Sequence, residues 1–483
     1  MKVCANSIVS VLDTVLKTCP ANGSVSACCV ALKSTSLSDR VFYPTSDVYH
    51  QSIGSYWRAD NQQLYPSCVV QPHSAQDVSL AVSTLVKAND NSPRCQFAVR
   101  SGGHGTVTGS TNGDYAVTID LSQMNQTVYH ADTCTASIQA GARWKSVYKT
   151  LSQHNMAVPG GRSGMVGVGG FVTGGGNSFH SAQYGLVCDA VVNFEIVLAN
   201  GQITTANEHT NPDLFKVLRG GSNNFGIVTR IDLEAFEQES LWGGVVTYNQ
   251  STAAQQIPAF VDFTSDLHKD PHASLIALYT YSSELGVPVI SNALEYTKPV
   301  EFPAAFARFY ALPNISSTMR IADLDDVTSE FEPPGGVHHN FFTLTFANDP
   351  RILHRAVEIQ TKAIEEIKHS VKSSAWSIMS LYQPFPALFT HLVDLLWFTW
   401  DEIEDTPLFD SVGYAMVEEI ESYARSRGGG NRYIYLNYAA GLQNPLRGYG
   451  EDNLREMRRV AEKYDPLGVF QYQVPGGFKL SQA

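Results

Sequence analysis

The chain has 483 residues, more than one hydrophobic core usually organises, so we expect two or three domains. Its apolar fraction of 43% and its aromatic fraction of 11% are those of a globular protein and argue against disorder. A formal net charge of -13 disfavours a nucleic-acid partner, because an acidic surface repels phosphates.

Residues 1–40 are predicted to form a helical arm. Apolar side chains recur at helical spacing over residues 7–19, and a second short helix is expected at residues 26–32. No apolar run anywhere in the sequence is long enough to span a membrane, so we expect no membrane partner.

Cysteine usage indicates disulfides near the N-terminus. Four of the eight cysteines fall within the first thirty residues, and no Cys-x-x-Cys pair or zinc-like Cys/His spacing occurs. We therefore expect disulfides that hold the arm, with Cys68 paired to Cys28 or Cys29, and no metal.

Glycosylation sequons suggest where the protein is made. Four Asn-x-Ser/Thr sequons occur, at Asn22, Asn125, Asn249 and Asn314. Together with the cysteines they favour a secreted or secretory-pathway protein. The sequence begins without the apolar core of a signal peptide, so an intracellular location, such as a vesicle, stays open.

Residues 41–236 predict a domain of strands, helices and glycine-rich loops. A strand at residues 67–72, a helix capped by Ser74 and a buried strand at residues 97–100 lead directly into Gly102 and Gly103. Later elements are strands at 116–121 and 135–140, a helix at 145–154, a strand at 191–198 with a hairpin turn at Asn200-Gly201, a helix at 212–218 and a strand at 227–233.

Three glycine clusters lie at residues 102–105, 160–176 and 219–226. Glycine permits positive φ and lets main-chain N–H groups approach an anion, which suits the pyrophosphate of a dinucleotide. No Gly-Lys-Ser/Thr follows the glycines, and no Gly-x-Gly-x-x-Gly directly follows the first strand. Plain tight turns are the alternative, but three clusters in one domain favour a dinucleotide held in a cradle that is not of the Rossmann type.

Residues 237–428 have fewer glycines and are predicted to form a separate domain that ends near residues 428–430. Its predicted elements are helices at 254–267 and 352–371 and aromatic strands at 274–281 and 341–346. The remaining residues, 429–483, predict a strand at 433–438 and a helix at 451–464.

Several motifs, taken in order, match one family. They are Arg100-Ser101-Gly102-Gly103-His104, Gly167-Val168-Gly169-Gly170 with Gly174-Gly175-Gly176, Arg219-Gly220-Gly221 with Asn224-Phe225-Gly226-Ile227-Val228-Thr229, Tyr435-Leu436-Asn437-Tyr438, and Lys463-Tyr464-Asp465-Pro466 with Phe470. In these motifs the sequence resembles the vanillyl-alcohol-oxidase (PCMH-type) FAD-binding superfamily, in its berberine-bridge-enzyme-like branch and especially that branch's fungal members. The resemblance extends from about Tyr43 to near the C-terminus.

The resemblance implies an α+β fold with two domains. Residues 41–236 and 429–483 would form the FAD-binding domain. Residues 237–428 would form an inserted substrate domain, whose antiparallel sheet covers the isoalloxazine ring.

The resemblance also implies how FAD is held. The family's histidine at the position of His104 bonds to the flavin 8α-methyl carbon, and many members add a cysteine link at the position held here by Ser163. A serine oxygen replaces a thiolate poorly, so we expect one covalent link, through His104, and consider a carbohydrate substrate less favoured. The residues expected to bind FAD are Arg100, Ser101, Gly102, Gly103, His104, Gly105, Gly109, Gly161, Ser163, Val166, Gly169, Gly170, Gly174, Gly226, Ile227, Val228, Asn437 and Tyr438.

Candidate catalytic residues follow from the same resemblance. Tyr438 matches an active-site tyrosine that would serve as a base, and Val166 lies where the family controls oxygen access. His180, just after the glycines, is a candidate to face the ring, and Gln383 and Asp401 are weaker candidates. Each of these residues also has an ordinary structural interpretation. The glutamate base of the alkaloid-cyclising members is missing, because residues 428–433 contain no carboxylate.

The predicted function is that of an O2-dependent oxidase, expected to be a monomer. It would pass a hydride from a small organic molecule, such as a secondary-metabolite alcohol or a ring C–H, to FAD and release H2O2. One alternative is a flavin-containing cyclase or isomerase with non-redox, Diels–Alder-type chemistry. Another is a binding protein without flavin, which His104 and the glycine clusters argue against.

Overall fold

The structure is a computed structural model, and it describes residues 26–88, 95–330, 332, 335–385 and 391–483. The helix predicted at residues 7–19 lies outside these residues, as do Cys4, Cys19 and Asn22. The short helix predicted at residues 26–32 is present as Ala27–Lys33.

A four-stranded sheet carries the first glycine loop. Its strands are β1 (Val41–Phe42), β2 (Cys68–Val70), β3 (Phe97–Arg100) and β4 (Val117–Asp120), in the order β1-β2-β4-β3. The pairs β2–β4 and β3–β4 are parallel, and β1 is antiparallel to β2. The loop that begins with Ser101 therefore leaves the carboxyl end of a parallel strand, where open sheets commonly bind ligands.

A five-stranded antiparallel sheet lies next in the chain. Its strands are β5 (Thr127–His130), β6 (Thr135–Gln139), β8 (Val191–Val197), β9 (Ile203–Ala206) and β10 (Ile227–Glu234), in the order β5-β6-β10-β8-β9, while β7 (Met156–Ala157) pairs with β11 (Phe236–Glu237). The hairpin predicted at Asn200-Gly201 joins β8 to β9, and Gly201 has the positive φ of +82° that such a turn needs.

Short helices connect and cover these strands. They are α1 (Ala27–Lys33), α2 (Asp47–Gly54), α3 (Ala59–Gln62), α4 (Ala75–Ala88), α5 (Trp144–Ser152), α6 (Val168–Thr173), α7 (Ser181–Tyr184) and α8 (Pro212–Leu218). Helix α4 buries Val78, Val82 and Leu85, which follow one another at the spacing of a helix face.

The second unit is a nine-stranded antiparallel sheet backed by helices. Its strands are β12 (Leu241–Asn249), β13 (Ala273–Ser282), β14 (Val289–Tyr296), β15 (Asn314–Ser317), β16 (Arg320–Ala322), β17 (His338–Ala347), β18 (Trp376–Pro384), β19 (His391–Trp400) and β20 (Gly430–Asn431). Its helices are α9 (Ala253–Asp266), α10 (Ala307–Tyr310), α11 (Leu324–Glu330), α12 (Pro350–Ser370) and α13 (Thr406–Ser426).

The two faces of this sheet have different partners, because successive side chains of a strand point to opposite faces. On β19, Leu396 and Phe398 pack into the core that contains Ile359 of α12 and Met416 of α13. Their neighbour Leu395 belongs to a separate cluster that includes Trp57 from the first unit. The second face is therefore turned towards the glycine loops. The predicted α+β fold with an antiparallel substrate sheet is confirmed.

The C-terminal segment returns to the first unit through α14 (Pro445–Gly448), α15 (Glu451–Tyr464) and α16 (Val469–Tyr472). Helix α15 buries Leu454 and Val460 in the core that also holds Leu214 of α8. The strand predicted at residues 433–438 is wrong: Leu436–Tyr438 is a short 3-10 turn. The Asn437 amide in this turn donates to the carbonyl oxygen of Phe171 in α6, so the segment packs against the second glycine cluster and not against a strand edge.

Two disulfides fix the described part of the N-terminal arm. Cys29 pairs with Cys68, one of the two predicted alternatives, and Cys28 pairs with Cys95. They join α1 to β2 and to the residues just before β3. The three sequon asparagines within the described residues, Asn125, Asn249 and Asn314, are exposed.

The described residues contain neither a candidate membrane span nor a candidate metal site. Within those residues, no helix is both long and apolar enough to cross a bilayer. No group of three or more His, Cys, Asp or Glu side chains is arranged there to hold a metal ion.

Candidate active site

A cavity of about 600 Å³ lies between the glycine loops and the nine-stranded sheet. This volume is within the range of small-molecule and cofactor sites. Residues from both units line it, among them Trp57, Ser101, Gly102, Gly103, His104, Gly105, Arg162, Ser163, Val166, Gly167, Gly169, Gly170, Gly226, Ile227, Val228, Ile276, Leu278, Phe341, Leu381, Leu395, Trp397, Asn437 and Tyr438. The structure thus brings most of the predicted FAD-binding residues to one place.

Two glycine loops cross backbone to backbone on the floor of the cavity. A Cβ added to Gly102 would lie 2.5 Å from the Cα of Gly167, and a Cβ added to Gly167 would lie 2.3 Å from the nitrogen of Gly102. Gly103 has a positive φ of +69°, a conformation that other residues rarely adopt. Only glycine fits this crossing, and its main-chain atoms are left to face a ligand.

Ser101 fastens the same crossing. Its hydroxyl donates to the carbonyl oxygen of Ala140 and accepts from the N–H of Gly169, at 3.2 Å. Arg100, predicted to bind FAD, is not among the lining residues. Its buried guanidinium donates to the backbone and hydroxyl oxygens of Ser52 and Ser55 and stacks 4.1 Å from the ring centre of Tyr56. Arg100 therefore supports the loop from behind.

Three predicted FAD-binding glycines also lie outside the lining. Gly161 faces Trp144, Gly174 faces the side-chain oxygen of Asn437, and the N–H of Gly109 donates to Asn61. Gly161 and Gly174 allow close packing, since an added Cβ would meet the side chain at 2.4 Å for Gly161 and at 1.9 Å for Gly174. At Gly109 the space is open, and its positive φ of +81° is what favours glycine.

His104 faces the cavity as a neutral base. Burial, and next the positive charge of Arg143, lower the pKa of its imidazole to about 4. At neutral pH the ring therefore carries one nitrogen with a free lone pair, which is the nucleophilic form.

The indole of Trp57 holds the plane of this imidazole. The two ring centres are 4.2 Å apart and the planes differ by 9°. The other face of the indole stacks on His339, at 3.8 Å, and the Trp397 N–H donates to Nδ1 of His339. The backbone N–H of Trp57 also donates to the carbonyl oxygen of Gly103. Trp57 lies in none of the sequence motifs, so no pattern in the sequence pointed to it.

Arg162, Gln383 and Tyr438 form a polar cluster at one end of the cavity. One guanidinium N–H group of Arg162 donates to the Tyr438 hydroxyl at 2.8 Å and to the amide oxygen of Gln383. The Tyr438 hydroxyl in turn lies 3.4 Å from that oxygen. Two of the predicted catalytic residues are therefore together. Arg162 was missed, although it directly precedes Ser163.

The C-terminal turn anchors Tyr438 against the second glycine loop. The Asn437 amide donates to the carbonyl oxygen of Phe171 at 2.9 Å, and the N–H of Asn177 donates to the Tyr435 hydroxyl at 2.8 Å. These two hydrogen bonds fix the turn that carries Tyr438.

His180 and Asp401 are not brought to the cavity. His180 is buried elsewhere, where its Nε2 hydrogen-bonds to Gln238 at 2.8 Å and its ring packs on Phe236. Burial lowers its pKa to about 4. Asp401 lies at the surface and accepts from the Ser374 hydroxyl. The structure gives both residues local structural partners instead of a place at the ring.

Ser163 and Val166 both lie on the cavity wall. The Ser163 hydroxyl is inaccessible to water and has no hydrogen-bond partner within the described part of the protein. A buried hydroxyl normally finds a partner. This orphaned oxygen therefore indicates that a polar group of a ligand completes its bonding.

The residues present fit FAD. The crossing of Gly102 and Gly167 leaves main-chain groups for a pyrophosphate, and His104 offers a neutral nucleophilic nitrogen. The same cavity is also lined by Asn223, in the turn before β10, and by Phe470 and Gly477 near the C-terminus. A side chain at Gly102 or Gly167 would push the two crossing loops apart.

Comparison with known proteins agrees with this assignment. The model of a family described as an FAD-binding domain matches residues 66–207. An FAD-dependent monooxygenase of Emericella nidulans is 44% identical in an alignment of length 481. The alignment covers 95% of this chain and 100% of the relative.

Solved structures share the fold. The 6-hydroxy-D-nicotine oxidase of Arthrobacter nicotinovorans matches with a TM-score of 0.75 and 19% identity, over 89% of this chain and 96% of that chain. The glucooligosaccharide oxidase of Acremonium strictum, which carries a 6-S-cysteinyl, 8α-N1-histidyl FAD, matches with a TM-score of 0.69 and 20% identity, over 92% of this chain and 98% of that chain. The 44% identity with the Emericella nidulans relative, over nearly the whole of both chains, shows that this chain belongs to the same family of FAD-linked oxidoreductases, and its fold is that of the berberine-bridge-enzyme-like, PCMH-type structures.

Proposed function

We propose that this protein is an oxidase whose FAD is attached covalently through His104 alone. The observation that carries the proposal is the neutral imidazole of His104, held by Trp57 at the wall of the glycine-lined cavity. Ser163, which has no thiol to offer, stands where the doubly linked members of the family have a cysteine. One link is therefore expected.

Some residues of the cavity would hold FAD, and others would act on the substrate. Ser101 and the crossing glycines would hold the pyrophosphate, and the apolar face of the sheet would cover the ring. When bound, FAD accepts a hydride and passes two electrons to O2, which yields H2O2. Proton removal from the substrate would then be carried out by side chains that face the cavity.

Tyr438 is the proposed base. Tyr438 would act in its ionised form, after its own phenolic proton has been released to water. The phenolate oxygen would then take the proton of a substrate hydroxyl while the adjacent carbon gives up its hydride to the bound flavin, leaving a carbonyl group. Arg162 supports this role, because its N–H group already donates to the same oxygen and stabilises negative charge there. Gln383 accepts from both partners and fixes their positions.

Val166 is the proposed control on oxygen access. The test needs no substrate: the bound flavin is photoreduced without oxygen and then mixed with O2. An oxidase should be reoxidised rapidly and should release about one H2O2 per flavin. The variant Val166→Leu should slow reoxidation. Slow reoxidation of the wild type, equal to that of the variant, would contradict an oxidase.

A second candidate is monooxygenation, which is favoured by the activity in the name of the Emericella nidulans relative. Such a reaction inserts one oxygen atom into the substrate and needs a reductant for the other, usually NADH or NADPH. Mixing the protein with NADPH and NADH in the absence of oxygen separates the two. Bleaching of the flavin would favour the monooxygenase, whereas an unchanged spectrum favours the oxidase.

Location and oligomeric state remain proposals. The two disulfides and the exposed asparagines Asn125, Asn249 and Asn314 support passage through the secretory pathway. Protein from the native source should therefore lose mass on treatment with an N-glycosidase. Light scattering should report a monomer.

A further inference from the structure

Residues 476–480, which we call the C-terminal strap, lie between two glycine-containing segments of the FAD unit. A Cβ added to Gly476 would lie 1.9 Å from the carbonyl oxygen of Gly109, so the strap crosses the segment after the first glycine cluster backbone to backbone. Gly477 has a positive φ of +83°, and its added Cβ would lie 3.2 Å from Oδ1 of Asn223 in the third glycine cluster. Gly477 also lines the cavity. The strap therefore forms part of the cavity wall.

Two neighbouring asparagines tie the strap to the third glycine cluster. The amide of Asn223 donates to the carbonyl oxygen of Gly476 at 3.2 Å, and the amide of Asn224 donates to that of Phe478 at 2.9 Å. The N–H of Leu480 donates to Oδ1 of Asn224 at 3.2 Å. Asn224 is fully buried, whereas Asn223 lines the cavity. The position of Asn223 in the cavity wall therefore depends on the strap.

Lys479 is the charged residue of the strap, and it is buried, with 2% of its surface exposed. Its ammonium group donates to Oδ1 of Asn223 at 2.9 Å and to the carbonyl oxygen of the same residue at 3.3 Å. Both acceptors are neutral. Among the described residues, no carboxylate forms a salt bridge with Lys479. A cation removed from water usually has a counter-charge close by, so the strap holds a positive charge that is incompletely balanced.

Asp465 is the acidic group that acts on Lys479 from the neighbouring C-terminal turn. Its two oxygens accept from the backbone N–H groups of Val469 and Phe470, each at 2.8 Å. Burial lowers the pKa of Lys479 to about 7, and the charge of Asp465 opposes this shift only in part. An anion that binds nearby would therefore favour the charged form of Lys479.

We propose that Lys479 is a cofactor-positioning residue, whose ammonium group holds Asn223 in place and supplies the positive charge that balances the FAD pyrophosphate. FAD would bring this negative charge into the cavity that Asn223 and Gly477 line. The inference rests on the proposed function and adds to it a residue that lies behind the cavity wall. It follows that FAD binding is coupled to protonation of Lys479, so the affinity for FAD falls as the pH rises through about 7.

The test uses His104→Ala protein freed of FAD, because without the covalent bond FAD can bind reversibly. Affinity is measured from the change in flavin fluorescence. A lysine with a pKa of about 7 is mostly charged at about pH 6 and mostly neutral at about pH 8, so the affinity should fall about tenfold across this range. Binding at about pH 7 should take up about half a proton per FAD. Covalent attachment to wild-type protein at saturating FAD should not share this pH dependence, because His104 sets its rate.

Two substitutions, each combined with His104→Ala, separate charge from packing. Arginine stays charged throughout this range, so Lys479→Arg should bind FAD with an affinity that does not change with pH and with no proton uptake. Lys479→Met should bind FAD about tenfold or more weakly at about pH 6, again without pH dependence. Lys463→Met is the matched control. Lys463 belongs to the same C-terminal segment but pairs with Asp213 at the surface, so its loss should change neither affinity nor proton uptake.

A constant affinity of the His104→Ala protein between about pH 6 and 8 would overturn the inference, as would proton uptake that persists in Lys479→Arg. Equal FAD affinity with and without Lys479→Met would do the same. Unfolding temperatures show whether each variant is folded, and if Lys479→Met is not, the pH dependence of the other two proteins decides. Failure of the proposed function is recognised separately: the wild-type protein would then lack covalent flavin, or its reduced flavin would not react with O2.

Discussion

The two walls of the cavity recognise their ligands by different means. The floor uses main-chain atoms: glycines cross at Gly102 and Gly167, where any side chain would collide. The roof uses side chains from strands that lie far apart in the chain, from Ile276 to Trp397. A site made of backbone leaves a mark in the sequence, because only glycine permits it. A site made of sheet side chains becomes visible only once strand register is known.

The largest effect should come from removing the one nucleophile of the floor. His104→Ala should lose all flavin that survives denaturation, because no other group is expected to form a covalent bond. His180→Ala is the matched control, since this second buried histidine hydrogen-bonds to Gln238 instead of facing the cavity. Flavin fluorescence of the denatured protein on a gel is the measurement. Covalent flavin in His104→Ala, or its absence from His180→Ala, would contradict the assignment.

The next largest effect should come from the glycine crossing. Gly167→Ala places a methyl group 2.3 Å from the nitrogen of Gly102, so the loops must separate and FAD binding should be lost or greatly weakened. Gly54→Ala is the control, because no atom lies within 4 Å of its added Cβ. It should leave stability unchanged or raise it by about 0.5–1 kcal/mol. Flavin content and urea unfolding check both. Full flavin content in Gly167→Ala would show that the crossing does not form the cradle.

The two faces of the roof sheet should differ in stability when neighbouring residues are shortened. Leu396 packs into the helix-backed core, so Leu396→Ala should cost about 2–4 kcal/mol in the free energy of unfolding. Leu395, one residue earlier, faces the cavity. Leu395→Ala should cost clearly less and should instead change ligand affinity. Equal losses of stability would mean that the cavity side is packed like a core.

The sequence predicted the floor better than the roof, for the same physical reason. The glycine clusters, His104 and the C-terminal Asn437-Tyr438 motif all reached the cavity. Arg162, Trp57 and the sheet side chains that line the cavity, such as Leu395 and Trp397, were missed, because their positions depend on long-range stacking and on strand pairing. His180 was a candidate because it follows the glycines in the sequence. In the structure its side chain points away from the cavity and contacts Gln238 and Phe236.

A smaller effect should come from the indole that holds His104 in place. Trp57→Leu removes the stacking, worth about 1 kcal/mol, and should slow covalent flavin attachment roughly fivefold without abolishing it. Trp57→Phe keeps an aromatic face and should recover most of the rate. The time course of covalent incorporation into protein purified without FAD is the measurement. An unchanged rate in Trp57→Leu would show that the stack does not orient the imidazole.

The smallest effect is the expected pH dependence of attachment. The neutral imidazole is the reactive form, and it predominates above its pKa of about 4. The attachment rate should therefore be flat between about pH 5 and 8, a window in which an ordinary histidine titrates, and should fall only as the pH approaches 4. A midpoint near the ordinary value of 6.5 would show that burial does not keep His104 neutral.

Peptide mapping of the wild-type protein tests the central claim most directly. The protein is digested, and the peptides are separated and read by flavin fluorescence and by mass. The account predicts one flavin peptide, which contains His104 and carries a single bond to the cofactor. Flavin on the peptide that contains Ser163, on any other peptide, or on none would contradict it.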